Sequence, residues 1–302
     1  MACFFGAYHG YDAMNTMPVT PKDPFPDAPK LLLAELLYES NPNLSGELFR
    51  SRLDQSGSQF KVVSSSEDTI LIEHPGGEYT DVEGRKIPPL TSILQYAVED
   101  LGRFETAIRQ TWDWPQARDL VGKAAFQITV TEMISRTIER STRVINFLNV
   151  LWQVIEIAKP LAIHCHHAER IVDPARLRHA SGSTNPTERM IAILNVRLFR
   201  VDGGEAGETI MDTRGLAALW LPDLQVHSKN LPANSLAALL VNSAMYIYEH
   251  GDCIEDGHTI QGLNAEDRWK CRHEVAIVAP KRPVIDICPN APFAAGRRRT
   301  WT

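Results

Sequence analysis

The chain has 302 residues, of which 44% are hydrophobic and 23% charged, and its 31 Lys and Arg stand against 37 Asp and Glu, a formal net charge of −6. This composition excludes collagen, an intrinsically disordered chain and a disulfide-dense secreted scaffold. The negative charge argues against a nucleic-acid-binding protein, which needs Lys and Arg to neutralise phosphates, and favours a protein that meets a basic partner.

The five cysteines are unevenly spaced and include no Cys-x-x-Cys pair, a pattern typical of reduced thiols in a cytoplasmic protein. The first residues, MACFFG, contain neither the basic nor the apolar region of a signal peptide. The most apolar stretch, residues 144–158, is interrupted by polar side chains, so no membrane span is expected. We therefore expect a soluble cytoplasmic protein that does not associate with membranes.

The first third of the chain predicts helices and strands in mixed order. Prolines between Pro18 and Pro29 predict an extended leader, and the helix formers of LLLAELLY predict a helix over residues 30–38. β-Branched residues predict two strands over 60–63 and 69–73, which form a hairpin. Apolar residues recur with helical spacing over 91–110 and predict a second helix there.

The middle of the chain predicts its most buried helix. A short helix ending at residue 120 precedes a strand over 125–131, and residues 139–157 predict a long apolar helix. Its apolar residues are too many for one stripe, so we expect burial on most sides. A strand over 161–166 follows, and Asp173-Pro174 predicts the start of a short helix.

The last third predicts strands around a second long helix. Strands are expected over residues 191–201, 208–211, 223–227, 269–278 and 283–287, with a hairpin turn at Asp202-Gly203-Gly204. Between them, residues 232–250 predict a helix that ends at Gly251.

These elements predict an α+β fold, with mixed and antiparallel sheets packed against the long buried helix at 139–157 and the helix at 232–250. The predicted regions are an N-terminal α+β region over 1–110 that carries a partner-specific surface, an α+β domain over 111–290, and a basic tail over 291–302. The polar stretch 180–188 is the predicted place of any further domain boundary.

Two sets of residues contain the side chains that metal ions favour as ligands. His164 and His166 are candidates because alternate residues of a strand lie on one face, although no second pair is spaced to complete a zinc site, and an ordinary strand end is the alternative. A second set lacks the compact spacing of a zinc site; its members are His250, Cys253, His258, Cys271, His273 and Cys288. No metal is predicted, and His164 and His166 remain the candidates.

Signatures of catalysis are missing from the sequence. It contains no Gly-x-Ser-x-Gly elbow, no P-loop, no Gly-x-Gly-x-x-Gly fingerprint and no local cysteine-protease signature. We therefore expect neither an enzyme nor a bound cofactor.

The segment 249–267 is strongly acidic. It contains six carboxylates, and no Lys or Arg occurs between Lys229 and Arg268. Such a segment steers a positively charged partner, whereas the alternative is an ordinary solvated loop. The candidate partner-binding residues are its carboxylates and two tryptophans that could supply an apolar anchor, namely Asp252, Glu255, Asp256, Glu266, Asp267, Trp220 and Trp269.

Three segments carry a family resemblance: MDTRGLAALWLPDLQVH from Met211, AMYIYEHGDCIEDGHTIQG from Ala244 and WKCRHE from Trp269. Shorter stretches at 114–117, 128–131 and 171–174 add to them. Over residues 112–288, the chain resembles a bacterial family catalogued as domain of unknown function 4261. The resemblance implies a compact α+β fold and a bacterial cytoplasmic protein, and it transfers no catalytic residue.

Proteins of this kind resemble those encoded beside secreted antibacterial toxins. The resemblance therefore implies a non-enzymatic immunity protein that neutralises a toxin, such as a nuclease effector of a type VI secretion system. The expected partner is a cognate toxin with a basic surface, because a nuclease must hold phosphates; nucleic acid and membrane are not expected, and a homodimer is left open. The alternatives are a metal-dependent hydrolase that uses His164 and His166, and an adaptor or chaperone that loads an effector.

Overall fold

The computed structural model describes residues 23–135 and 137–296. Residues 1–22, with part of the predicted leader, and residues 297–302, with the arginines of the predicted basic tail, lie outside the described residues.

Two large sheets organise the chain. The strands up to residue 172 are β1 (Leu33–Tyr38), β2 (Lys61–Ser65), β3 (Thr69–Glu73), β4 (Tyr79–Thr80), β5 (Lys86–Ile87), β6 (Leu90–Ala97), β7 (Phe126–Met133), β8 (Ala162–Cys165) and β9 (Arg170–Val172). β4 and β5 form a small hairpin, and the others form one seven-stranded antiparallel sheet in the order β2-β3-β6-β7-β1-β8-β9. Strands from both sides of residue 110 thus share this first sheet.

The second sheet is built from later strands. They are β10 (Asn195–Arg200), β11 (Glu208–Arg214), β12 (Asp223–Lys229), β13 (Thr259–Ile260), β14 (Trp269–Val275) and β15 (Pro283–Cys288). Their order is β10-β11-β12-β15-β14-β13, in which β12 and β15 are parallel and the other neighbours antiparallel. The predicted α+β class with mostly antiparallel sheets is confirmed.

Helices cover the sheets. The α-helices of the described residues are α1 (Gly46–Gln55), α2 (Glu105–Arg109), α3 (Ala117–Val121), α4 (Arg140–Ala158), α5 (Pro174–Gly182), α6 (Pro186–Arg189) and α7 (Ala233–His250). Single 3-10 turns lie at Gly102–Phe104, Met190–Ala192 and Leu216–Leu219. α4 and α7 confirm the two long helices predicted from sequence. Within the described parts of the chain, we find no helix with both the length and the apolar character needed to cross a bilayer.

One hydrophobic core connects the two sheets. It includes Leu36 of β1, Leu151 of α4, Leu224 of β12 and Leu240 of α7, all of them buried. Leu37, the next residue of β1, points to the opposite face of the first sheet, where α2 and α3 form a smaller core. The rest of that opposite face is polar or partly exposed.

The predicted helix over 30–38 is wrong, because this segment is β1. β1 lies between β7 and β8 and pairs with both. The helix preference of Leu, Ala and Glu is worth only tenths of a kcal/mol per residue. Burying Leu36 and Leu37 on opposite faces of a central strand is worth about 1.5–3 kcal/mol for each side chain, so tertiary burial outweighs local preference.

The predicted helix over 91–110 is also wrong in its first half. Residues 90–97 form β6, in which Thr91 and Ile93 are buried while Leu94 and Tyr96 are exposed, and helix begins only after residue 101. Alternation of burial is the mark of a strand with one covered face. The apolar residues of this segment fit the spacing of a helix as well as the alternation of a strand, so their spacing alone does not separate the two.

The other predicted elements are confirmed to within a few residues. β2 and β3 pair as the expected hairpin, and Asp173 caps α5 by accepting a hydrogen bond from the backbone N–H of Ala175 at 2.9 Å. The strand predicted over 191–201 begins only at Asn195, because a 3-10 turn occupies Met190–Ala192.

Candidate functional site

A buried carboxylate and imidazole face each other on the first sheet. Glu35 of β1 and His164 of β8 are register partners, and His164 donates from Nδ1 to Glu35 Oε2 at 2.6 Å. Arg103 donates to Glu35 Oε1 at 2.7 Å. Burial raises the pKa of Glu35, but the hydrogen bonds and charges of His164 and Arg103 outweigh it, so the pKa lies below its ordinary value. Glu35 is therefore a carboxylate at neutral pH.

A line of polar groups continues across the sheet from this pair. Arg103 also donates to the side-chain oxygen of Gln127, and Gln127 donates to Thr129 Oγ1 at 3.3 Å. The hydroxyl of Tyr96 lies 3.0 Å from the same threonine oxygen. These side chains lie on the face of the first sheet opposite α4, where α2 and α3 leave part of the sheet uncovered.

The two histidines predicted as metal candidates do lie on one face. Their ring centroids are 5.8 Å apart, and Nδ1 of His164 is occupied by Glu35. Burial and the neighbouring His164 lower the pKa of His166. Across residues 23–135 and 137–296, no group of three or more His, Cys, Asp or Glu side chains is arranged to hold a metal ion. Strand alternation here brings together a histidine–carboxylate–arginine cluster.

The acidic segment 249–267 begins in the last turn of α7, and His273 of β14 joins two of its carboxylates. His273 Nε2 lies 2.9 Å from Asp252 Oδ1, Nδ1 lies 3.1 Å from Asp256 Oδ1, and the His273 backbone N–H donates to Asp256 at 2.6 Å. Burial lowers the pKa of His273, but hydrogen bonds and charges of the two aspartates outweigh it and raise the pKa. An imidazole that donates from both nitrogens is cationic, so it offsets one of the two negative charges.

The other predicted carboxylates differ in their surroundings. Glu255 and Glu266 are exposed, whereas Asp267 is half-buried and accepts from the backbone N–H of Asn264 at 2.8 Å. The backbone N–H of Glu255 donates to Nδ1 of His258 at 3.1 Å. Glu255 and Glu266 thus present charge to solvent, while Asp267 also holds the local backbone.

Remaining members of the second metal set are dispersed. Cys271 is buried, Cys253 is exposed, and Cys288 donates to the side chain of Asp286 at 3.3 Å. His250 bonds to the backbone carbonyl of Tyr246 in α7.

The two tryptophans predicted as anchors lie in different environments. Trp269 is 1% exposed, and Gly262 packs so closely that a Cβ there would lie 2.4 Å from the indole ring. Trp269 therefore offers no surface to a partner, which corrects its assignment as an anchor. Trp220 is 46% exposed and ends the 3-10 turn Leu216–Leu219 with a left-handed φ of 62°.

Trp220 is connected to the acidic segment through Arg140. Trp220, Arg140 and Ile138 line a cavity of about 460 Å³ at the start of α4. A Cβ built on Gly251, the residue before Asp252, would lie 3.5 Å from Nη2 of Arg140. Sequence reasoning missed Arg140, because its position depends on how the start of α4 meets the end of α7.

A buried ionic network holds the second sheet to the loop 276–282. Arg197 donates to both carboxylate oxygens of Asp212 at 2.9 and 2.7 Å, and Arg282 donates to Asp212 at 2.7 Å and to Asp223 at 2.9 Å. All four side chains are at most 1% exposed. Complete pairing of this kind is what makes buried charges tolerable. The spacing of these residues in the sequence does not predict the network, although charged residues inside a strand generally indicate buried ion pairs.

Comparison with known proteins bears on the second sheet. Residues 212–288 match the model of a family described as a domain of unknown function, DUF4261. The matched segment holds the last three residues of β11, then β12 to β15 and α7, together with Trp220 and the acidic segment. It coincides with the later part of the predicted resemblance. No curated protein and no solved structure matches the chain.

Proposed function

We propose that this protein is a cytoplasmic immunity protein, which binds and neutralises a bacterial toxin with a basic surface. The proposal is carried by the contact of His273 with Asp252 and Asp256, which fixes exposed carboxylates in place. Side chains that are already ordered lose less entropy on binding, and complementary charge speeds association.

The neighbourhood of this cluster supplies the second half of an interface. Arg140 lines the same cavity as Trp220, and a Cβ built on Gly251 of the acidic segment would lie 3.5 Å from its Nη2. Exposed tryptophans and arginines beside a cavity are typical centres of binding energy, whereas surrounding charges act mainly on the association rate. We therefore assign slow dissociation to Trp220 and fast association to the carboxylates.

The charge of this surface and the family resemblance support a toxin that acts on nucleic acid. A toxin that cleaves nucleic acid must present basic residues to phosphates, and an acidic surface competes for them. The protein would then act by covering the toxin's active surface, as one folded binding partner.

The test measures association of the purified chain with the product of the adjacent gene at low and high salt. The double variant Glu255→Lys/Glu266→Lys should associate more slowly and with less dependence on salt. These two positions are chosen because their carboxylates are exposed and, unlike Asp252 and Asp256, do not join His273. Trp220→Ala should dissociate roughly tenfold faster or more.

The matched control places the same charge change on α1, as Glu47→Lys/Asp54→Lys, and should bind like the parent. Equal slowing by both double variants would contradict the acidic surface as the binding site. Absence of any binding by the parent would contradict the immunity function itself.

The Glu35–His164 pair favours hydrolysis as a second candidate function. A carboxylate that holds Nδ1 of a histidine leaves Nε2 to act as a general base. If the protein destroys its target, His164→Asn should abolish protection of cells while leaving toxin binding intact. One zinc per purified chain, lost in His164→Ala, would favour a metal-dependent form. Full protection by His164→Asn and a metal-free parent would contradict this candidate.

A further inference from the structure

A second cavity, away from the proposed toxin surface, has the features of a small-molecule site. It measures about 560 Å³ and lies between α5, the turn Met190–Ala192 and α7. Ligand sites commonly occupy cavities of about 300–1,000 Å³ where two structural layers meet. Arg170 of β9 and Val241 of α7 both line it, so it lies between the first sheet and the helix that packs on the second sheet.

One wall of this cavity is cationic. Asp113 accepts hydrogen bonds from both Arg170 and Arg176, the latter at 2.5 Å. A single carboxylate balances only one of these two guanidinium groups. Toward the exposed rim, His179 Nε2 lies 3.4 Å from the carboxylate of Glu188. Arg170 and Arg176 therefore share one carboxylate in the inner part of the wall, and Glu188 lies at the rim beside His179.

Arg176 has donors to spare. Its Nη1 binds Asp113, while its Nε and Nη2 form no hydrogen bond within residues 23–135 and 137–296. A guanidinium offers five N–H donors in a planar fork that matches a carboxylate. Arg176 can thus keep Asp113 and still receive an anionic group from the cavity.

The floor of the cavity is aliphatic. Met190 and Leu194 are buried beneath it, and Val241 and Ile191 are half-buried at its sides. Such a floor gains free energy from covering an unbranched hydrocarbon chain in proportion to the apolar area removed from water.

We propose that this cavity binds an aliphatic carboxylate, with its head group at Arg176 and its hydrocarbon chain against Met190, Leu194 and Val241. The carboxylate of the ligand matches the guanidinium of Arg176, and its hydrocarbon chain matches the aliphatic floor. The site is independent of the immunity function, because neither the acidic segment nor the Trp220 cavity contributes a residue to it.

The first experiment is calorimetric titration of the full chain with decanoate, octanoate and decan-1-ol. Decanoate should bind; octanoate should bind roughly fifteenfold more weakly, because each buried methylene is worth about fourfold in affinity. Decan-1-ol, which lacks the charge, should bind about tenfold more weakly than decanoate. No binding of decanoate, or equal affinity for decan-1-ol, would overturn the proposal.

The second experiment uses variants on the same helix. Arg176→Gln should weaken decanoate binding about tenfold. Arg178→Gln is the matched control, since Arg178 of α5 binds Glu156 at 2.5 Å and does not line the cavity. Val241→Trp should fill the cavity and abolish binding, with unchanged melting temperature as proof of folding. Equal loss in both arginine variants would show non-specific adsorption and overturn the site.

Discussion

Glu35 and His164 are 129 residues apart in sequence, yet their side chains meet through a hydrogen bond of 2.6 Å inside the first sheet. The bond depends on strand pairing, since β1 and β8 place the two residues directly opposite each other. Because both are buried, neither can exchange its partner for water, and the pair should matter more for stability than an exposed ion pair.

Replacing Glu35 by Ala should lower the free energy of unfolding by about 3 kcal/mol, because His164 and Arg103 are left without their acceptor. The control is Glu105→Ala, whose partner Arg118 is exposed and which should cost far less, because water screens an exposed ion pair. Urea unfolding of both variants and the parent measures the difference. Similar losses of unfolding free energy in the two variants would contradict the larger contribution expected of the buried Glu35 pair.

A buried histidine should make stability depend on pH. His167 Nε2 lies 2.8 Å from the carbonyl oxygen of Ala192, and Nδ1 lies 3.0 Å from the carbonyl oxygen of Leu33 and 3.2 Å from its backbone nitrogen. Burial lowers its pKa to about 4, although the contacts with the carbonyl oxygens of Leu33 and Ala192 oppose the shift, so the ring is neutral at pH 7. Between pH 6.5 and 4, the unfolded chain binds a proton that the folded chain does not, so stability falls as the pH falls.

The expected contribution of His167 to this loss is about 3 kcal/mol. His74, whose pKa burial also lowers to about 4, acts in the same direction. His167→Gln should therefore remove part of the slope of unfolding free energy against pH. An unaltered slope in His167→Gln would contradict the neutral, buried state.

The burial of α4 can be tested by cavity formation. Leu151 is fully buried and Leu148 nearly so, and replacing either by Ala should cost roughly 2–5 kcal/mol. Ile145→Ala on the same helix, at a position 37% exposed, should cost much less. Fast amide exchange through the middle of α4, together with small losses, would indicate a helix that faces a partner.

Two glycines adopt a backbone that other residues avoid. Gly251, after α7, has a φ of 86°, and Gly257 has a φ of 87°. Gly251→Val and Gly257→Val should each destabilise the fold by about 1–2 kcal/mol through backbone strain. Gly182→Ala, where φ is ordinary and no atom lies within 4 Å of an added Cβ, is the control and should melt like the parent. If both valine variants melt like the parent, a side chain at Gly251 or Gly257 does not strain the backbone, and the prediction is contradicted.

Local sequence signals predicted those elements whose tertiary surroundings agree with them. α4 and α7 have uninterrupted helical patterns and clear ends, and most strands alternate between turns. β1 could not be identified, because its leucines and alanine prefer helix and its two neighbours lie far along the chain. Local preference is small beside the burial of a central strand.

The sequence predicts which charged residues the candidate site contains, but it does not predict how they are arranged. The carboxylates of the acidic segment were visible as a charge run, but the role of His273 between Asp252 and Asp256 depends on where β14 lies. The sequence does not show which of Trp269 and Trp220 is buried. Gly262 packs against the buried ring of Trp269, whereas Trp220 is exposed and has a left-handed backbone.

The central place of β1 has a consequence for synthesis. β1 is synthesised before both strands that flank it, which come from residues 126–133 and 162–165. Until then its apolar side chains and both backbone edges stay unpaired, a state that invites aggregation and chaperone binding. Pairing over such distances is also slow. We therefore expect the interval between the synthesis of β1 and that of its two neighbours to slow folding in the cell.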